Sequence, residues 1–193
     1  ALLNTVEGLM SHGHMFHGVH IYEEGVRVPL IVRWPGQVPA GVVAPGPVDL
    51  ADLAPSVLEL AGVSSTTPVQ GQSIASFLLG GDDLEAERPV HLYRRHYEGG
   101  DVVDGLYAEG EKFGLRRGRW KLIEGPEEGT LELFDLETDP GEKDNLVEGQ
   151  PERVQAMREE IAAWRRAHTQ DAKDGRLPSA EEREGLEALG YTE

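Results

Sequence analysis

The stretch from residue 89 to residue 136 most limits what this chain can fold into. It holds four short runs, PVHLYRRH, KFGLRRG, RWKLIEG and LELFDL, separated by Gly, Pro and acidic turns. PEEG at 126–129 has the form of a turn between two of them. Short strand-like runs joined this way predict an antiparallel meander. A helix pattern follows. In PERVQAMREEIAAWRRAH (151–168), Val154, Met157, Ile161 and Trp164 recur at spacings of three, four and three, which is one face of an α-helix. Between the two, ETDPGEKDNL (137–146) reads as a polar loop. PSAEEREGLEALGYTE (178–193) predicts a last helix, with Ser179 as cap and Glu182 at the capping-box spacing.

The first half has another texture. VRVPLIVRWPG (26–36) is a short β-branched apolar run ended by Pro35-Gly36. Such a run predicts a strand buried on both faces, of the kind found in a mostly parallel sheet. Pro29 suits its first residue or its edge. A Gly/Pro/Val loop spans 37–48. DLADLAPSVLELAGV (49–63) predicts a helix with an apolar face of Leu50, Leu53, Val57, Leu58, Leu60 and Ala61. Pro55 inside it places the helical start near Leu53 or Ala54, and Gly62 is its stop. GQSIASFLLGG (71–81) suggests a second, short helix with Ser73 as cap. The charged stretch 82–88 is an exposed connector.

Charge removes whole classes of partner. The 193 residues carry a formal net charge of −17. Nucleic-acid binding is driven by Lys and Arg that release phosphate counterions, so no nucleic acid is expected. An anionic membrane surface is disfavoured for the same reason. No apolar run approaches the ~20 residues that span a bilayer, so no membrane is expected either. There are no cysteines, which excludes disulfides, thiolate metal sites and cysteine nucleophiles. No signal peptide is visible, but the chain does not begin with Met. The compartment stays open between periplasmic or secreted and cytoplasmic.

HGHMFHGVHIYEE at 12–24 concentrates four of the seven histidines, His12, His14, His17 and His20. As neutral imidazoles they suit zinc or nickel, yet no further acidic or histidine ligand has an obvious spacing. Glu23 and Glu24 read as the end of that loop, one of them pairing with Arg27. Arg27 and Arg33 read as structural ion pairs. Arg94, Arg95 and His96 fall where a C-terminal subdomain approaches a cleft rim. RRGRWK (116–121) is a basic cluster with alternating faces, read as a solvated face against acidic neighbours. Trp34, Trp120 and Trp164 are expected in the core.

At YEEGVRVPLIVRWPG the sequence resembles the sulfatases of the alkaline-phosphatase-like superfamily. There an acidic pair, Arg-Val-Pro-Leu-Ile and Pro-Gly follow the active-site loop. VDLADLAPSVLELAGV and GQSIASFLLG are similar to the family's next two helices. KFGLRRGRWKLIEG with LELFDLETDPGEKDNL is similar to its C-terminal sheet, and AEEREGLEALGY to its last helix. The resemblance runs from about residue 7 to the end. It implies an α/β fold: the C-terminal part of an alkaline-phosphatase-like sulfatase fold, then a small antiparallel sheet with a packed helix. Residues 1–88 would be the remnant of the catalytic domain and 89–193 the antiparallel-sheet subdomain with its terminal helices.

The resemblance also implies chemistry. The family hydrolyses sulfate esters with a formylglycine hydrate as nucleophile, made from the Cys or Ser of Cys/Ser-x-Pro-x-Arg, and with a divalent cation, usually calcium. This chain has no cysteine, and none of its serines opens that motif. The chain would therefore be roughly the last third of an arylsulfatase-like sulfuric ester hydrolase. It would be inactive alone, with formylglycine and calcium supplied by the upstream segment. His17 falls where the family places a sulfate-contacting or acid-catalyst side chain, with His14 behind it. Asn4 stands where the family's metal motif has Asp. The substrate implied is a sulfate-ester small molecule or glycan. A homodimer through exposed edges of the truncated sheet is an expected partner state. The alternatives are a phosphodiesterase or phosphonate hydrolase of the same superfamily, and a non-catalytic remnant or interaction module.

Overall fold

The computed structural model describes residues 19–65, 69–81, 84–103 and 106–173. The expected helix at 178–193 lies outside them. Four strands form one antiparallel sheet in the order β1-β2-β3-β4: β1 (Pro89–Val103), β2 (Leu106–Arg117), β3 (Trp120–Gly125) and β4 (Thr130–Asp135). The meander expected from the sequence is present. The β2–β3 connection is the tight two-residue type, with Arg117 opposite Trp120. Gly118 at φ 57 occupies its first central position, where a hairpin turn with the right twist needs a left-handed residue. β1 and β2 outrun the expected strands, and their register shifts between Arg94 and Tyr97 and again before Asp101.

The strands alternate faces, and both faces are covered. On one face Phe113, Leu115, Leu122 and Leu133 meet Val154, Met157 and Ile161 of the long helix, with Trp120, Leu131 and Trp164 packed around them. That helix spans Pro151–Lys173, with Pro151 at the first helical position, where its missing N–H costs nothing. On the other face Ile123 and Phe134 pack with Ile21, Tyr22 and Val26. The sheet is thus filled between a helix far along the chain and a segment near its start.

The first half forms three short helices, α1 (Glu23–Val26), α2 (Leu53–Leu60) and α3 (Ala75–Leu78); the long helix is α4. A 3-10 turn at Leu50–Asp52, capped by Asp49, leads into α2. Pro55 falls in the first turn of α2, and Gly62 ends it at φ 68, as expected. The expected apolar face of α2 is not the buried one. Leu50 and Val57 are exposed, while Asp52 and Ser56 are buried. Asp52 accepts from the backbone N–H of Asp49 and of Gln72 at 2.8 Å each, and from Arg88 at 2.7 and 2.9 Å. Ser56 Oγ donates to Asp52 O and accepts from Ile74 N. Burying these groups is tolerable because each is hydrogen-bonded, and together they staple 71–75 to α2. Ser73 Oγ accepts from Ala75 N at 3.1 Å, which starts α3.

The strand expected at 26–36 does not form. Residues 27–34 adopt no regular structure, and Val28, Leu30, Ile31, Val32 and Trp34 are exposed, Ile31 to 88%. The run has the composition of a buried strand. A strand, however, exists only by hydrogen bonding to a neighbour, and among the described residues the sheet's strands pair only with one another. Trp34 consequently leaves the expected core, whereas Trp120 and Trp164 keep it.

Candidate functional site

His17, His14, His12 and Asn4 lie outside the described residues. What the structure describes is the segment that follows the histidines, Val19–Val26, and the means by which it is held.

Hydrophobic contact seats it first. Ile21 is buried against Ile123 and Phe134. It comes so close to the sheet that a Cβ at Gly114 would stand 3.0 Å from Ile21 Cδ1. Tyr22 sets its ring edge-on to Phe134, 6.0 Å between centroids. Its hydroxyl donates to Glu132 at 2.9 and 3.1 Å. Burial and then the Glu132 carboxylate push this phenol far above its ordinary pKa, so it remains a donor. α1 follows as a single turn, with Arg27 N donating to Glu23 O at 2.8 Å. The His20 ring lies against Gly25, where a Cβ would be 2.8 Å from His20 Cε1, and its Nε2 stands 3.8 Å from Glu24. A side chain at position 25 would have to displace the His20 ring.

Charge then fixes it. Arg116 and Lys121 are cross-strand partners on the face toward this segment. Glu23 reaches both: Oε1 lies 3.1 Å from Lys121 Nζ and Oε2 lies 2.9 Å from Arg116 Nη1. Lys121 is 0% exposed, and its ammonium also meets Glu142 Oε1 at 2.9 Å. The other Glu142 oxygen accepts the backbone N–H of Glu23 at 2.5 Å. Burial pushes the Glu142 carboxyl above its ordinary pKa, and the opposing pull of Lys121 does not cancel it. Glu142 makes these contacts from a left-handed backbone, φ 51, the one non-glycine residue with positive φ among the described residues.

A third grip comes from Arg94. It donates to Val19 O at 3.0 Å and to the carbonyls of Glu109 and Gly110, and it pairs with Glu128 at 2.8 Å. Burial raises the Glu128 pKa, but hydrogen bonds from Lys112, the Glu109 N–H and Arg94 outweigh it and hold the carboxyl below its ordinary value. Arg94 is therefore a buried structural cation rather than a substrate-side group at a cleft rim. Arg95 stacks on the Tyr97 ring at 4.6 Å.

Several expectations change here. Glu23 pairs with Arg116 and Lys121, not Arg27. Arg27 and Arg33 are exposed. The basic cluster 116–121 does face acidic neighbours, but Lys121 is wholly buried rather than solvated. The loop 137–146 is a built support. Asn145 Oδ1 accepts from Leu133 N and Val147 N at 3.1 Å each, and Asp139 accepts from Lys143 N and Asp144 N. Glu142 carried no signal in the sequence beyond its place in a polar loop, because its partner Glu23 stands 119 residues away.

Chemically, this constellation holds rather than reacts. Glu23, Glu142, Glu128, Asp135 and Asp52 are each engaged by Lys or Arg. Among the described residues no group of three or more His, Cys, Asp or Glu could hold a metal ion. No helix among them is long and apolar enough to cross a membrane.

Residues 11–167 match the family model for the C-terminal region of N-sulphoglucosamine sulphohydrolase. An N-acetylglucosamine-6-O-sulfatase of Bacteroides thetaiotaomicron is 28% identical over 164 residues, covering 81% of this chain and 28% of the relative. The chain thus spans less than a third of that relative's length. Among solved structures, BT4656 in complex with its substrate D-glucosamine-2-N,6-O-disulfate matches with a TM-score of 0.66 at 22% identity. It covers 86% of this chain and 33% of that one. The phosphonate monoester hydrolase SpPMH of Silicibacter pomeroyi matches with a TM-score of 0.55 at 25% identity, over 83% and 31% of the two chains.

Proposed function

This chain belongs to the N-sulphoglucosamine sulphohydrolase C-terminal family, and from that premise we propose that it is the C-terminal part of a sulfuric ester hydrolase. Residues 1–88 complete the catalytic domain, and 89–193 form the subdomain that carries its sheet. One observation carries this reading: the family match, residues 11–167, spans both the histidine segment and the sheet that clamps its end. The names of the relatives favour a sulfated amino sugar, free or within a glycan, as substrate.

Sulfate-ester hydrolysis places growing negative charge on the sulfate oxygens and on the leaving oxygen. A cationic or acidic imidazole answers both needs. His17 takes that role here, as sulfate contact or general acid, with His14 as the next candidate. Asn4 stands at the position of a metal-binding carboxylate and offers a neutral oxygen. The buried carboxylates of Asp52, Glu128, Glu23 and Glu142 do not fit calcium, because Lys and Arg already neutralise them. On this reading calcium and the formylglycine nucleophile come from an upstream segment of the full-length protein, and the 193-residue chain alone is inactive. Its exposed apolar run at 28–34 makes a homodimer of the isolated chain the expected association.

The test is a substrate panel on the full-length protein and on the 193-residue chain: an aryl sulfate, N-acetylglucosamine 6-sulfate, an aryl phosphonate monoester and a phosphodiester. Sulfate release by the full-length protein only is the expected result. Turnover by the short chain would refute the division of labour. Preference for the phosphonate would favour the second reading, which the SpPMH likeness supports. No turnover together with no calcium binding would leave a non-catalytic remnant.

A further inference from the structure

The contacts that hold Val19–Val26 on the sheet are built at unusual cost. An ammonium and a carboxylate are almost wholly buried at Lys121 and Glu142, and Glu23 joins them. Burying ions is expensive even when they pair, and apolar residues of like volume commonly serve stability as well or better. Glu142 adds backbone strain, since the other positive-φ positions among the described residues are glycines. Apolar packing of Ile21 alone would seat the segment, but such packing is non-directional. The ionic row is directional. It grips the Glu23 carboxylate by both oxygens and the Glu23 backbone N–H by a third contact. Tyr22 and Val19 are gripped separately, through Glu132 and Arg94.

We propose that Lys121 and Glu142 are positioning residues for the reaction: through Glu23 they fix the register of Val19–Val26 on the sheet, and so fix the point from which the preceding histidine segment departs. The catalytic part of this inference rests on the sulfuric ester hydrolase reading; the positioning part does not. A displacement of about 1 Å in a substrate-contacting group costs up to about 100-fold in rate. The loss falls on kcat when the contact tightens in the transition state.

The experiment uses the full-length protein, unaltered and with Lys121→Met, Lys121→Arg or Glu142→Gln. Hydrogen exchange is followed in peptides covering 12–26, β2–β3 and α4, alongside kinetics on a sulfate ester. Lys121→Met should speed exchange at 19–26 by about tenfold or more while β2–β3 and α4 stay protected. It should lower kcat about 10- to 100-fold with KM changed less than about threefold. Lys121→Arg, which keeps the charge, should recover part of both. If Lys121→Met does not fold, Glu142→Gln carries the same test, since it removes the carboxylate that opposes Lys121 while its amide oxygen can still accept from Glu23 N; a smaller loosening of 19–26 in the same direction is then expected. Unchanged exchange at 19–26 would overturn the proposal. So would equal loosening of the segment and the whole sheet, which marks a merely structural role. An unaltered enzyme without sulfatase activity defeats the functional reading, while the exchange result still decides the positioning one.

Discussion

Asp52 illustrates what a single buried residue does here. It is 0% exposed and accepts two backbone N–H groups and both arms of Arg88. Asp52→Ala strands a buried guanidinium and two amides, so a loss of about 3–5 kcal/mol is expected, read as a lowered urea midpoint. A midpoint unchanged within error would mean that the staple carries no stability. His91 is a second case. Its ring stacks on Trp164 at 5.1 Å and 5°, and burial lowers its pKa against the pull of Glu160. The unfolded chain therefore binds this proton more readily than the folded one. The stabilisation is complete above the unfolded value of about 6.5 and drains as pH falls through the lower folded value. His91→Phe keeps the stack and removes the titration. Stability measured against pH should lose part of its fall below about pH 6.5; an identical slope would place the acid sensitivity elsewhere.

At the scale of elements, α4 and the sheet enclose the largest cluster of buried apolar side chains among the described residues. Ile161 is 1% exposed in the cluster with Leu115, Leu122 and Leu133. Ile161→Ala should cost about 2–5 kcal/mol by lost transfer energy and cavity formation. On the flank of the same helix, Arg158 pairs with Glu124 of β3 at 3.1 Å but is half exposed. Arg158→Ala should cost no more than about 1 kcal/mol. Denaturant midpoints of the two variants compare the terms directly, and comparable losses would mean that the helix is held by its charges rather than its apolar stripe.

For the whole molecule, the apolar run 28–34 is the feature out of balance. A β-branched stretch without a paired neighbour leaves both backbone groups and side chains exposed, the condition for edge-to-edge association. The isolated 193-residue chain should sediment above 21.1 kDa, and Ile31→Lys should shift it toward monomer. A monomer at high concentration without that substitution would show that the exposed run is not adhesive.

Local pattern was enough for much of this architecture. The meander, the stripe of α4, the start of α2 at Leu53 with Pro55 in its first turn, and its stop at Gly62 are set by periodicity and by residues with restricted backbones, which act over a few positions. The family was legible for the same reason, because its motifs are contiguous. Side-chain burial was not. Lys121 reads as a surface lysine on an alternating strand until a segment 98 residues away covers that face. Glu142 reads as loop until its left-handed backbone turns it toward the same lysine. The stretch 26–36 reads as a buried strand because composition encodes a preference, while pairing requires a partner. Sequence by itself determined where the meander, α2 and α4 lie; the tertiary structure alone decided whether the run at 26–36 pairs, which charges are buried and what they hold, because pairing, burial and ion contacts depend on neighbours that sequence distance does not reveal.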